Sequence, residues 1–299
     1  MSYISNIQKI LNHIDDNLDK DLSVDILAEI ANFSPYHFCR IFQWYVGYPV
    51  MKYVRIRRLE YVASEFSTGK KIIDIAMRYG FETYSGFAKA FKRHYGIAPE
   101  KYRIHNNIAL PILSNLIHMN SYSIGGVILN PKFITHDTIK LVGYELKTTT
   151  IEGENSKEIP AFWQACIADG RLKKLHHAGF VKNHIEYGAC FSIDPETGGY
   201  SYVIGVEAEE NVVITDDFST FTLPPATYAV FSTPPAKKAD FTKSIQGTWQ
   251  YIMNDWFPNS GYEYAPNCVD FEYFDRKNMS VNENVCDIYI PVVKVKNFD

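Results

Sequence analysis

Paired cysteines are missing. The five that occur, Cys39, Cys166, Cys190, Cys268 and Cys286, are odd in number, and no two stand at a C-x-x-C spacing. That argues against a disulfide framework or a zinc knuckle and fits scattered, reduced thiols. The nine His include one adjacent pair, His176 and His177, but no H-E-x-x-H, so neither a metal nor a cofactor is expected. No apolar run reaches the ~18 residues that cross a bilayer. The first residues carry no basic stretch followed by an apolar one, so the expectation is no secretory leader, no membrane partner and a cytoplasmic location. G-x-S-x-G, P-loop and dinucleotide fingerprints are also absent. Charged residues make up only 21% and hydrophobic ones 46%, which is a globular balance rather than a disordered one. A chain of 299 residues predicts about two domains.

What is present is distributed unevenly. Residues 1–105 carry 15 Lys and Arg against 11 Asp and Glu, and the remainder carries 15 against 23. Inside the first part, residues 1–39 are acidic, while residues 40–103 hold 13 basic against 5 acidic groups. A basic segment of that length is a candidate polyanion footprint, although a solvated helix face has the same charge count. The acidic remainder would repel phosphates.

The same region repeats itself. Ser34, Phe38, Phe42, Gly47 and Tyr53 recur as Thr83, Phe87, Phe91, Gly96 and Tyr102, at a constant offset of 49. Ser34 and Thr83 are helix N-caps, since their side-chain oxygens can satisfy N–H groups at a helix start. Phe38/Phe42 and Phe87/Phe91 stand at i, i+4 and face a core from one side. Gly47 and Gly96 fall at the left-handed stop. Short amphipathic segments precede each copy at residues 24–31 and 72–79, so each unit is a helix-turn-helix. Residues 49–67 read as one longer helix between the units, with Val54, Leu59, Val62, Ala63 and Phe66 inward.

These residues, with Ala76-Met77-Arg78-Tyr79-Gly80-Phe81 and the closing run from Phe91 to Arg103, resemble the AraC/XylS transcription regulators over residues ~5–104. The resemblance implies that the second helix of each unit enters a major groove on one face of the duplex. With Phe38 and Phe42 inward, the first reader presents Tyr36, His37, Cys39, Arg40 and Gln43. The family match points to Tyr36, Cys39 and Arg40 for bases, and Arg40 can give guanine a forked pair of bonds. The second reader presents Tyr84, Ser85, Ala88 and Lys89, a set poorer in polar reach. Lys89, Lys92, Arg93, His94, Lys101 and Arg103 are expected to grip phosphates, while Tyr36 and Tyr84 as packing residues, and Arg57, Arg58, Lys92 and Arg93 as solvated charges, are the plain alternatives. A linking helix of about 16–18 residues spans ~25 Å, short of the ~34 Å between successive grooves. Either the DNA bends or one reader sits imperfectly.

Residues 106–132 mix Asn, Ser and Gly with short apolar stretches and read as a linker. From Phe133 the pattern turns to β, with β-branched or aromatic runs at 140–146, 187–192, 201–206, 227–231, 268–274 and 285–292. Residues 194–199 and 276–284 read as turns, and residues 158–169 and 243–257 as helices. The order strand, helix, strand, strand occurs twice. The fold class is therefore multidomain: an all-α tandem helix-turn-helix domain (1–105), a linker (106–132) and an α+β domain of two βαββ halves (133–299), with a groove expected between the halves.

Leu223 to Phe231, Trp249-x6-Trp256-x-Pro258, Phe271-Glu272-Tyr273 and Asp287 to Val292 resemble the GyrI-like effector-binding domain, also found on MerR-type multidrug regulators. Both domains together look most like Rob-type regulators. The resemblance implies a pocket glutamate for lipophilic cations, and Glu272 holds that place. Alternation sets Glu272 and Phe274 on one sheet face and Phe271 and Tyr273 on the other. A carboxylate enclosed among aromatics is costly without a cation or donor, which suits a cation sensor. Phe162, Trp163, Tyr202, Trp249 and Trp256 are weaker candidates that could each be core, and for Trp249 core is the favoured reading. A solvent-facing Glu272 on an ordinary strand is the plain alternative.

The expected function is a sequence-specific, DNA-binding transcription regulator controlled by a small ligand, and not an enzyme. Its partners would be double-stranded DNA, a small-molecule effector and RNA polymerase, with activation the more common outcome in the family. Two readers per chain make a monomer sufficient for DNA. The alternatives are a small-molecule hydrolase using Glu272 and a Tyr, or a protein-interaction module.

Overall fold

The computed structural model of the chain describes residues 3–105, 129–191, 194, 197–210, 212–275, 277 and 283–295. The chain divides into two compact units, Met1–His118 and Met119–Asp299. The predicted linker lies outside the described residues except for 129–132, as do most of residues 276–284.

The first unit is helical: α1 (Tyr3–Asp16), α2 (Val24–Ala31), α3 (Pro35–Val46), α4 (Val50–Ser64), α5 (Ile72–Arg78), α6 (Tyr84–Tyr95) and α7 (Pro99–His105). Its local grammar is the predicted one. Ser34 Oγ accepts from the His37 N–H at 3.4 Å and Thr83 Oγ1 from the Gly86 N–H at 3.2 Å. Gly47 and Gly96 close α3 and α6 at φ 77° and 76°, in the region a glycine enters without steric cost. Phe38, Phe42, Phe87 and Phe91 are each 0% exposed, and burying each contributes ~1.5–3 kcal/mol. The linking helix α4 has 15 residues and runs on into a 3-10 turn, Glu65–Thr68. Val54, Leu59, Val62, Ala63 and Phe66 are all buried.

Two expectations fail here. His37 does not face outward: it is fully buried, its Nε2 lies 2.9 Å from the Tyr3 hydroxyl, and its ring packs edge-on to Phe33. The added helix α1 turns that side of α3 into interior. Arg57 is not a solvated charge either. It is buried and forks onto Asp15 of α1 (Nε to Oδ1 2.8 Å, Nη2 to Oδ2 3.1 Å) while also pairing with Glu60.

The second unit is one antiparallel sheet with helices against it. Its strands are β1 (Lys132–His136), β2 (Ile139–Thr149), β3 (Glu186–Phe191), β4 (Gly199–Glu207), β5 (Ser219–Leu223), β6 (Ala226–Ser232), β7 (Tyr262–Tyr264), β8 (Phe271–Phe274) and β9 (Asp287–Lys294). Helices α8 (Asn155–Ala168) and α9 (Arg171–His176) follow β2. After β6 come α10 (Phe241–Tyr251), a π turn (Ile252–Trp256) and α11 (Phe257–Ser260). Among the described residues the strand order is β1-β6-β9-β8-β3-β4-β2-β5, with β7 on β9.

Both βαββ halves are there, as β3-β4-β2 and β8-β9-β6. They do not form two separate sheets. The antiparallel pairing of β3 with β8 fuses them into one sheet, with Gly188 directly opposite Glu272. Pleating then sorts the side chains. Tyr187, Phe191, Tyr228, Phe271 and Tyr289 form an aromatic cluster on one face, and Tyr202 and Cys190 meet Trp163 of α8 on the other.

Candidate DNA-reading helices and effector site

On α3, Tyr36, Cys39, Arg40 and Gln43 are half-buried. Burial, helped by Asp25 on α2, pushes the Cys39 thiol up to about 11, so it stays neutral. On α6, Ser85, Lys89, Lys92 and Arg93 are exposed. Lys92, Arg93 and His94 occupy its last turn, where the helix dipole favours positive charge. Tyr84 is half-buried, packs on the core of the second helix-turn-helix beside Phe87 and Phe91 and lies 6.2 Å from the Phe87 ring, so part of its surface is spent on packing. Arg103 donates to the Lys70 carbonyl at 3.0 Å rather than standing open to solvent.

In the second unit the sequence singles out Glu272, and the structure surrounds it with donors. Tyr202 of β4 donates to Glu272 Oε2 at 3.0 Å, and the Trp249 indole of α10 donates to Oε1 at 3.1 Å. Trp163 of α8 in turn donates to the Tyr202 oxygen at 2.9 Å. The pair β4 and β8 flank β3, so Tyr202 reaches Glu272 only by crossing over Gly188. A Cβ there would stand 2.1 Å from the Tyr202 oxygen and 3.2 Å from Glu272 Oε2. Burial pushes the Glu272 carboxyl above its ordinary range, and the bonds from Trp249 and Tyr202 pull against that shift. The Tyr202 hydroxyl is driven well above its ordinary value by burial and by the Glu272 charge.

Phe274 lies on the Glu272 face as alternation requires, with its ring 5.0 Å from Trp163 and 6.3 Å from Phe241. Phe162 packs on the Tyr202 cluster and under the Arg171 guanidinium at 5.4 Å. Trp256 stands elsewhere, against Phe231 at 5.0 Å and stacked on Tyr262 at 6.0 Å. Trp249, a candidate that the sequence favours as core, donates directly to Glu272. Its signal was available: the helix of each half carries a tryptophan, Trp163 in one and Trp249 in the other. Cavities of about 240 and 610 Å³ lie away from Glu272, beside Ser201 and Asp194 and beneath His177 and Phe218.

A tandem helix-turn-helix unit followed in the chain by a doubled βαββ sheet that encloses a carboxyl among tryptophans defines a DNA-binding regulator with an effector-binding domain. Comparison with known proteins gives the same class. A helix-turn-helix domain family matches residues 27–104, and the family described as integron-associated effector binding protein matches residues 132–292. The second match takes in more than half of the chain, which therefore belongs to that family; the first unit makes it an AraC/MarA-like transcription regulator. The activator AarP of Providencia stuartii is 40% identical over 99 residues, which are 33% of this chain and 73% of AarP. The HTH-type regulator YbfP of Bacillus subtilis is 39% identical over 104 residues, which are 34% of this chain and 35% of YbfP. A solved structure, SAV2435 bound to tetraphenylphosphonium, aligns over 55% of this chain and 94% of its own at 19% identity and TM-score 0.46. Among the described residues no helix is long and apolar enough to cross a membrane.

Proposed function

We propose that the chain reads double-stranded DNA with α3 and α6 and is controlled by a lipophilic organic cation taken at Glu272. In this reading residues 1–105 bind DNA, 106–132 link, and 133–299 bind the effector. Tyr36, Cys39, Arg40, Gln43, Tyr84 and Ser85 meet base edges, and Lys89, Lys92 and Arg93 hold phosphates. Arg40→Ala is expected to weaken binding to the selected operator ~10–100-fold and to relax the choice at one base pair. Lys92→Ala is expected to weaken all duplexes alike and to reduce the salt slope by about one. Binding titrations at several salt concentrations separate the two.

The observation that carries the effector reading is the Glu272 carboxyl, enclosed by Trp163, Tyr202, Trp249 and Phe274 and raised by burial. An organic cation would supply the missing opposite charge, and the indole faces would hold its apolar body. Control of DNA binding then requires different cation affinity in two states of the protein. Activation through RNA polymerase is the expected output.

Tetraphenylphosphonium and tetraphenylborate share a shape and differ in the sign of their charge. In thermal unfolding, the phosphonium at ~100 times its dissociation constant is expected to add ~2.7 kcal/mol to the wild type. It is expected to add far less to Glu272→Gln, and the borate nothing to either. Equal stabilisation by both ions would discard the carboxylate as the determinant. No stabilisation by either would favour a protein-binding module. A second reading rests on Tyr202 lying 3.0 Å from Glu272, a pair that could position water against a small electrophile. Turnover of an electrophile panel, lost in Glu272→Gln, would establish it.

A further inference from the structure

Arg58, on the linking helix α4, touches at once the connection that leads into the first helix-turn-helix and the turn inside the second. Its Nε donates to the Leu18 carbonyl at 3.0 Å and its Nη2 to the Lys20 carbonyl at 2.8 Å, both in the connection from α1 to α2. On its other side it lies against Gly80, in the turn between α5 and α6. A Cβ on Gly80 would stand 2.7 Å from Arg58 Nη1 and 3.0 Å from Cζ. Gly80 has φ 80°, and the matching turn of the first unit holds Asn32 at φ 56°. An asparagine therefore serves the same left-handed conformation there. Conformation alone does not call for glycine at position 80, whereas the close approach of Arg58 does. The linking segment is also tied separately on its two sides, to α1 through Arg57 and Asp15 and to the second helix-turn-helix through Tyr79 donating to Glu65 at 2.6 Å. Arg58 is wedged where those two attachments converge.

We propose that Arg58 is a positioning residue that sets the separation and rotation of the two reader helices, and so the half-site spacing the protein accepts. This rests on the reading of α3 and α6 as DNA readers. A fork of two donors on two carbonyls, with the third nitrogen against a glycine, cannot be reproduced by a single ammonium. Arg58→Lys keeps the charge and any attraction to phosphate but loses the brace. Gly80→Ala displaces the same guanidinium from the other side.

The test is selection of duplexes from a randomised library by the full chain at one fixed salt concentration, scored for half-site words and for the spacing between them. The wild type is expected to enrich two words at one spacing. Arg58→Lys and Gly80→Ala are expected to enrich the same words over several spacings and to bind the wild-type site about tenfold more weakly. Lys92→Ala should weaken binding with the spacing unchanged. A single spacing retained by Arg58→Lys, at wild-type or at lowered affinity, overturns the brace and leaves a structural or phosphate role. A wild type that enriches one word alone overturns the two-reader reading and the brace with it. Loss of all duplex binding by both variants, with the thermal transition of the first unit gone, makes Arg58 a folding residue and also overturns the proposal.

Discussion

Gly188→Ala is expected to destabilise the second unit by ~4 kcal/mol and to abolish the phosphonium shift. The added methyl would stand 2.1 Å from the Tyr202 oxygen, well inside contact distance. Tyr202 cannot yield cheaply, because it is 2% exposed and its hydroxyl is held by Trp163 on one side and Glu272 on the other. Overpacking of this kind costs ~1–3 kcal/mol. Pushing Tyr202 aside also strips Glu272 Oε2 of its donor, and an enclosed acceptor left unpaired costs a further ~1–3 kcal/mol or more when charged. Urea unfolding of the full chain measures the loss in the second unit. Gly179→Ala is the control, since no atom lies within 4 Å of its added methyl. A Gly188→Ala chain as stable as the control would show that Tyr202 does not need the gap over β3.

The features legible in the sequence are those set by neighbours along the chain. Ser34, Thr83, Gly47 and Gly96 do their work within one helical turn, so spacing alone places them. Alternation puts Glu272 and Phe274 on one face of β8 for the same reason. What stayed hidden depends on partners far away in sequence. Whether position 37 faces inward is decided by Tyr3 of α1, 34 residues earlier. The fusion of the two halves depends on β3 finding β8, which no local pattern announces. Strand β5, with Ser219 and Thr220 exposed at the sheet edge, is too polar to signal itself, and β7 spans only three residues. Trp249 shows the limit at the site itself: its apolar ring argues for core, and only the direction of its indole N–H, toward Glu272, gives it a role there.

Acid is expected to unfold the first unit before carboxylate protonation becomes important, and His37 is the reason. Burial, with a smaller push from the Arg40 charge, lowers the His37 pKa from 6.5 to about 3. The folded state therefore holds the ring neutral where the unfolded chain would protonate it. With the folded pKa below the unfolded one, the stabilising contribution is complete above pH 6.5 and is lost as pH falls toward 3. The loss runs at ~1.4 kcal/mol per pH unit and reaches ~5 kcal/mol at most. His94, also lowered by burial, acts in the same direction. The Glu60 carboxyl beside Arg57 is raised by burial, so its own linkage runs the other way and produces no loss of stability on acidification. The window between about pH 6.5 and 4.5 therefore belongs to the histidines. His37→Leu, which fills the same apolar site without a titrating group, separates the two. Its urea midpoint for the first unit should stay nearly level across that window, while the wild-type midpoint falls. Parallel pH dependence in both proteins would mean that His37 titrates in the folded state as it does in the unfolded chain, and would discard burial of the neutral ring as the cause.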